Sequence, residues 1–173
     1  MKNAVITTER TALFHLCEND VDLFLPLFTN PEAMRWFPSV MDRKQVQEWV
    51  DMVRGCYDRD GFGFYKIIRH DDQQLLGYCG PILQKDVDGV DEIEFGYALI
   101  PEFWGNGYAR ETARAALEYV FRSLGASRCI SLIRPENTPS IRVAEHNGLS
   151  FEKAVDRWGF IHHVYTLSRE DFQ

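Results

Sequence analysis

The chain has 173 residues, 45% hydrophobic and 26% charged, with a formal charge of -7. That length suits one domain able to bury roughly 70% of its unfolded surface, and the composition leaves no room for a long disordered tract. The acidic balance, with no basic run or basic helix face, argues against a protein whose main business is gripping nucleic-acid phosphates.

The opening "MKNAVITTER" has no apolar signal-peptide core, and no run approaches the length of a membrane span, so a cytoplasmic location is expected. "NAVITTERTALFHL" reads as a strand with a kink, and "ENDVDLFLPLFTN" as a short helix opened by Asn19 or Asp20. "DRKQVQEWVDMVRGCYDRD" carries Val46, Trp49, Val50 and Val53 at helical spacing, with Asp42 as its cap and Gly55 near its stop. "GFYKIIRHDDQQLLGYCGPILQ" reads as a hairpin turning at His70 to Gln74, and "DEIEFGYALI" as the next strand. Residues 108 to 124 put Ala109, Ala113, Leu117 and Val120 on one helical face and Arg110, Arg114, Glu118 and Arg122 on the other, with Gly125 ending the helix. "RCISLI" is an apolar strand. Thr138 and Pro139 look like the N-cap and first residue of another helix stopped by Gly148, and "LSFEKAVDRWGFIHHVYTLS" makes two strands about a turn at Arg157 to Gly159. The order is roughly β α α β β β α β α β β, which fits a mixed sheet with helices on its faces.

"EFWGNGYARETA" sets Gly105 and Gly107 directly before a helix, at the end of a strand. The glycines can make a tight turn, or bring the backbone close to an anion resting on the helix N-terminus, at the position where open α/β sheets take ligands. The stretch matches neither the phosphate loop G-x-x-x-x-G-K-[ST], since it lacks the lysine, nor G-x-G-x-x-G, since it lacks the third glycine.

"IEFGYALIPEFWGNGYARETARAALEYVF", followed by "RCISLIRPENTPSIRVAEHNGLSFEK", resembles the GNAT superfamily of acetyl-CoA-dependent N-acetyltransferases, in the branch that includes ribosomal-protein N-terminal (alanine/serine) acetyltransferases. The resemblance is close over residues 91 to 155 and looser over the rest. It implies an α/β (α+β) fold: a single domain over residues 1 to 173 with a central mixed, mostly antiparallel twisted sheet, splayed at the cofactor cleft and flanked by helices on both faces. Residues 1 to 90 would then serve mainly the acceptor and 91 to 155 the acetyl-CoA. The family's Q/R-x-x-G-x-G/A signature falls on Trp104, Gly105, Asn106, Gly107, Tyr108 and Ala109, with Trp104 in place of the usual first residue. Main-chain N–H groups of residues 105 to 110, Arg110 included, would hold the pyrophosphate without basic side chains, which agrees with the acidic net charge. The resemblance also implies that Tyr97, Ala98, Leu99 and Ile100 pair with the pantetheine arm. It places Asn137 against that arm and Ser140 near the sulfur, although Asn137, Thr138 and Ser140 can equally be capping a helix.

An amine that attacks a thioester must first lose a proton. Glu92 and Glu94 share one sheet face, with Ile93 and Phe95 on the other. Family resemblance puts the base at Glu94, directly or through water; Glu92, or a structural salt bridge, is the alternative. Family members often supply an acid from a tyrosine on the helix after "PENTPS", but that helix has none here, which leaves Ser140, or more remotely Tyr165.

The expected activity is acetyl transfer from acetyl-CoA to a primary amine in a ternary complex. The acceptor would be a protein N-terminus, such as that of a ribosomal protein, or a small amine, with no nucleic acid, membrane or metal involved. A non-catalytic acyl-CoA sensor on the same fold is the alternative. His162 and His163 point to opposite faces of a strand with no third ligand. "DVDGVDEIE" fails the calcium-loop register, and Cys17, Cys56, Cys79 and Cys129 read as buried free thiols. Trp36, Phe37 and Trp49 are either core or the lining of the acceptor pocket.

Overall fold

The computed structural model describes residues 3–173; Met1 and Lys2 lie outside the described residues. The described residues form eight strands in one sheet: β1 (Ile6–Thr7), β2 (Thr11–Phe14), β3 (Tyr65–Arg69), β4 (Leu75–Val87), β5 (Val90–Leu99), β6 (Arg128–Ile133), β7 (Ser150–Arg157) and β8 (Phe160–Ser168). The strand order is β1-β2-β3-β4-β5-β6-β8-β7. Every neighbouring pair is antiparallel except β5 with β6, which run parallel and share the single partner pair Glu94 and Ile130.

Four α-helices cover the two faces: α1 (Val21–Phe28), α2 (Arg43–Asp60), α3 (Tyr108–Glu118) and α4 (Thr138–His146). Alternation along the strands splits the apolar residues into two cores. Tyr78 and Ala98 pack with Phe24, Phe28, Val46 and Val50 of α1 and α2. Cys79, Phe95 and Leu99 pack on the other side with Ala113, Ala116 and Leu117 of α3 and Ala144 of α4. The mixed, mostly antiparallel sheet with helices on both faces is thus as expected.

Several local readings change. The kinked first strand is a β1–β2 hairpin, because Thr8 bonds back to the Thr11 carbonyl and turns the chain. Asp20 does not cap α1 with its side chain; its carboxylate is 2.7 Å from Lys66 Nζ. Asp42 caps α2 in a reciprocal pair with Gln45, but the helix runs through Gly55 and stops at Gly61, which takes φ +81°. After α3 the chain widens into a π-helical turn over Tyr119–Ser123, with the Leu124 amide donating to the Tyr119 carbonyl at 3.1 Å. The cap of α4 is Asn137, whose side chain accepts from the Ser140 amide, rather than Thr138. Among the described residues no helix is long and apolar enough to cross a membrane.

Candidate functional site

The parting of β5 from β6 creates the site. Beyond Glu94 and Ile130 the two strands share no partner pair, while β5 continues to Leu99. The Ile100 amide donates to the Leu76 carbonyl on the β4 side. By alternation, the amides and carbonyls of Tyr97 and Leu99 turn toward the open side. One of these groups is already used, since the Trp104 indole N–H donates to the Leu99 carbonyl at 2.8 Å. The free strand edge therefore offers Tyr97 and the Leu99 amide, and Ile100 faces away from it. A cleft of about 450 Å³ opens here, with Tyr97, Ala98 and Leu99 along one wall.

At the outer end of this cleft the chain makes a 3₁₀ turn over Pro101–Phe103 and enters α3 through Gly105 and Gly107. Both glycines sit in the left-handed region, at φ +75° and +81°. A Cβ on Gly105 would meet nothing within 4 Å, and one on Gly107 only the Arg10 guanidinium at 3.5 Å. The space they keep clear therefore belongs to no side chain of the fold. The first helical bond runs from the Glu111 amide to the Gly107 carbonyl. Among the described residues the amides from 105 to 110 have no backbone partner outside the helix, so they stand as donors at its positive end. Trp104, Tyr108, Ala109 and Arg110 line the same cleft. Asn106 does not; its side chain closes the loop on the Phe103 and Trp104 carbonyls.

Arg10, to which the sequence drew no attention, locks this loop. Its guanidinium donates to the Asn106 carbonyl at 2.9 Å, pairs with Glu111 at 2.6 Å and stacks 4.4 Å over the Tyr108 ring. A second, polar cavity of about 660 Å³ continues outward from Gly107, lined by Arg110, Arg114 and His146 as well as by the paired Arg10 and Glu111. With Arg10 balanced by Glu111, Arg110 and Arg114 leave this end of the cleft locally cationic despite the net charge of -7. Free amides, two glycines without Cβ and an exposed Arg110 suit a pyrophosphate well.

On the far wall, Asn137 and Ser140 open α4 and both line the cleft. Asn137 is the helix cap, so its carbonyl oxygen is committed to the Ser140 amide at 3.3 Å, which leaves its amide group for other work. The Tyr97 hydroxyl donates to Ser140 Oγ at 3.2 Å. Burial pushes the Tyr97 phenol up to about 12, so it stays protonated at neutral pH. Tyr165, the remote candidate, packs in the core against Phe151 and lines neither cavity.

A third cavity, of about 540 Å³, lies on the other side of this junction. Trp36, Phe37, Tyr97, Asn137 and Ser140 line both it and the cleft, so the two spaces meet at Ser140. Glu94 lies within it. Its carboxylate is 8% exposed and accepts from Gln84 Nε2 at 2.5 Å and from the Leu132 amide at 3.2 Å. Burial raises its pKa from 4.5 to about 7, against the lowering by those two hydrogen bonds. Glu92 is used otherwise: Arg128 ties it to Glu152 in a surface network.

Trp49, with Phe28, Phe64 and Tyr78, forms the aromatic wall of this cavity, and Trp158, Phe160 and His162 reach it from β7 and β8. Burial lowers the His162 pKa, which keeps the imidazole neutral. Periodicity could not reveal these neighbours, because they come from separate segments spread between Phe28 and His162. No cluster of metal-binding side chains exists among the described residues. The four cysteines are free, and burial lifts the Cys79 thiol to about 12, far from a neutral-pH nucleophile.

The sequence profile of the family described as "Acetyltransferase (GNAT) domain" matches residues 10–150. "Uncharacterized protein YkkB" of Bacillus subtilis is 35% identical over 158 residues, 88% of this chain and 89% of the relative. "Uncharacterized N-acetyltransferase p20" of Bacillus licheniformis is 30% identical over 84% of this chain and 81% of its own. Among solved structures, the RimL ribosomal L7/L12 α-N-protein acetyltransferase in complex with coenzyme A superposes with a TM-score of 0.79 at 17% identity, covering 96% of this chain and 98% of the other.

Proposed function

The chain belongs to the GNAT acetyltransferase family, and we propose that it moves an acetyl group from acetyl-CoA to a primary amine by direct attack in a ternary complex. The observation that carries this reading is the meeting of two cavities at Ser140, with a buried carboxylate of raised pKa in the second. Acetyl-CoA lies in the cleft, its pyrophosphate on the amides of 105 to 110 beside Arg110 and its arm along Tyr97 and Leu99. The amine enters from the Glu94 side.

Glu94, half ionised near pH 7, accepts the ammonium proton, directly or through water, and so frees the lone pair. The nitrogen attacks the thioester carbonyl, the C–S bond breaks, and the leaving sulfur takes a proton from the Ser140 hydroxyl, which regains one from the second hydrogen that the nitrogen sheds as the amide forms, while the Tyr97 phenol donates to the same Ser140 oxygen. A thiol pKa near 8.5 makes the thiolate a good leaving group, so C–S cleavage does not wait on full proton delivery to sulfur. The products are an acetamide and free CoA, with one proton left on Glu94.

The acceptor we favour is an α-amine, of a small molecule or of a protein N-terminus such as that of a ribosomal protein. An α-amine titrates near 7.7 to 8.0 and a lysine side chain near 10.4, so one carboxylate at about 7 deprotonates the former more readily by roughly 3.4 kcal/mol. CoA release with a free-N-terminus peptide and with its N-blocked, lysine-containing twin tests both points. Faster reaction of the blocked twin reverses the amine preference. Acetyl-CoA binding with no amine-dependent release from any acceptor would instead mark a non-catalytic acyl-CoA module.

A further inference from the structure

We infer that the acceptor carries an aromatic ring or a similarly flat apolar body next to its amine, and that Trp158 is a specificity residue that closes over it; this rests on the acetyl-transfer reading above. Trp49 anchors a rigid wall, its ring 4.6 Å from Phe28, 5.0 Å from Tyr78 and 6.4 Å from Phe64. Trp36 and Phe37 extend the wall toward Ser140, and Trp158 and Phe160 flank it from the β7–β8 turn. The amine end is fixed by Glu94, the single carboxylate among the described residues lining this space. A polyamine would find no second carboxylate for its further ammonium groups, only ring faces, and an amino sugar would set most of its hydroxyls against a wall that is mainly aromatic. Arg134, the one arginine or lysine among the described residues lining this space, lies 3.5 Å from Glu136 and 4.1 Å above the Phe160 ring.

Trp158 supplies the independent observation. It occupies the β7–β8 turn at φ +54°, followed by Gly159 at +77°. Turns of this hand favour Asn-Gly and disfavour a bulky first residue. Core packing does not account for it, since Trp158 is 57% exposed. Its ring stands edge-on to His162 at 5.3 Å and takes the Arg157 guanidinium at 5.0 Å, which holds it at the cavity mouth. A strained, exposed tryptophan lining a cavity whose wall is already aromatic is explained by a flat ligand between the two.

The test compares L-phenylalanine amide, L-alanine amide and spermidine, with a tripeptide beginning with phenylalanine to separate a free small molecule from a chain end. Binding is read by tryptophan fluorescence in the presence of CoA and turnover by CoA release. The ring should tighten binding about ten- to hundredfold over alanine amide, and spermidine should bind more weakly still. Trp158→Asn, which installs the favoured Asn-Gly turn and keeps the fold, should raise KM for phenylalanine amide several-fold, leave KM for acetyl-CoA unchanged and not lower Tm. Equal binding of the two amides, or tighter binding of spermidine, would overturn the aromatic assignment, and unchanged KM in Trp158→Asn would overturn the role of Trp158. Ring-dependent binding with no CoA release supports the pocket while refuting acetyl transfer, so the two failures are distinguishable.

Discussion

The two halves of the site are built from different materials. The cleft proposed for acetyl-CoA is largely backbone: the open edge of β5, the amides before α3, and two glycines without side chains. The cavity proposed for the acceptor is mostly side chain, rings from seven separate segments around one carboxylate. Backbone recognition needs a fixed chain geometry, so it leaves local signals such as glycine spacing and helix caps. Side-chain recognition needs only that residues converge in space, and a sequence does not display convergence.

The largest test of this contrast falls on the side-chain half. Glu94→Gln keeps the shape and removes proton acceptance, so turnover should fall by about 10²- to 10⁴-fold while acetyl-CoA affinity, which resides in the other half, stays put. Wild-type activity with excess acceptor should rise as pH passes upward through about 7. Stability moves the opposite way. The folded state holds Glu94 at about 7 against 4.5 unfolded, so it favours the neutral acid: that stability is whole below pH 4.5 and is lost as pH rises to about 7, a cost of about 3 kcal/mol. Glu94→Gln should therefore be more stable than wild type at pH 8 and equal to it at pH 4, as read by denaturant melts. Undiminished turnover in that variant would move the base to His162 or to water.

The backbone half is tested next by Gly107→Val. A β-branched residue is strained at φ +81°, and its side chain would enter the open space beside the Arg10 guanidinium, where the proposed pyrophosphate would sit. Acetyl-CoA at a hundredfold over Kd should stabilise the wild type by about 2.7 kcal/mol, and the variant, still folded, should lose most of that shift. Full retention would mean that the loop is only a turn. The smallest effect is expected where the halves meet. Ser140→Ala should slow turnover roughly tenfold or less, because a thiolate leaves readily, and Ala should not disturb the Asn137 cap, which uses the Ser140 amide. A loss as steep as that of Glu94→Gln would make proton delivery to sulfur as demanding as proton removal from the amine.

The same division explains what the sequence showed. The order of elements from β3 onward, the Asp42 cap, the turn at 70 to 74 and the loop at 105 to 107 all rest on local chemistry and could be read in advance. Gly55 misled because a glycine inside a well-packed helix looks the same in sequence as one that ends it. Asp20 misled because its partner, Lys66, lies 46 residues away. Thr138 and Asn137 compete for one cap, and only the backbone angles decide between them. The hydroxyl of Tyr97, by contrast, was hidden in plain view: the strand position was recognised, but its reach to Ser140 depends on how far α4 leans over β5.

Arg10 gives the chain a property that its most recognisable segment conceals. Residues 91 to 155 look self-sufficient, yet the loop at 105 to 107 is held by an arginine about 96 positions upstream through the Asn106 carbonyl, and by that residue's amide donating to Glu111 at 3.0 Å. The loop is therefore a non-local product of the fold, held only where the opening hairpin packs beside α3. Grafted into another scaffold without a counterpart to Arg10, the segment would carry its signature and its glycines but not the posture that lets them work.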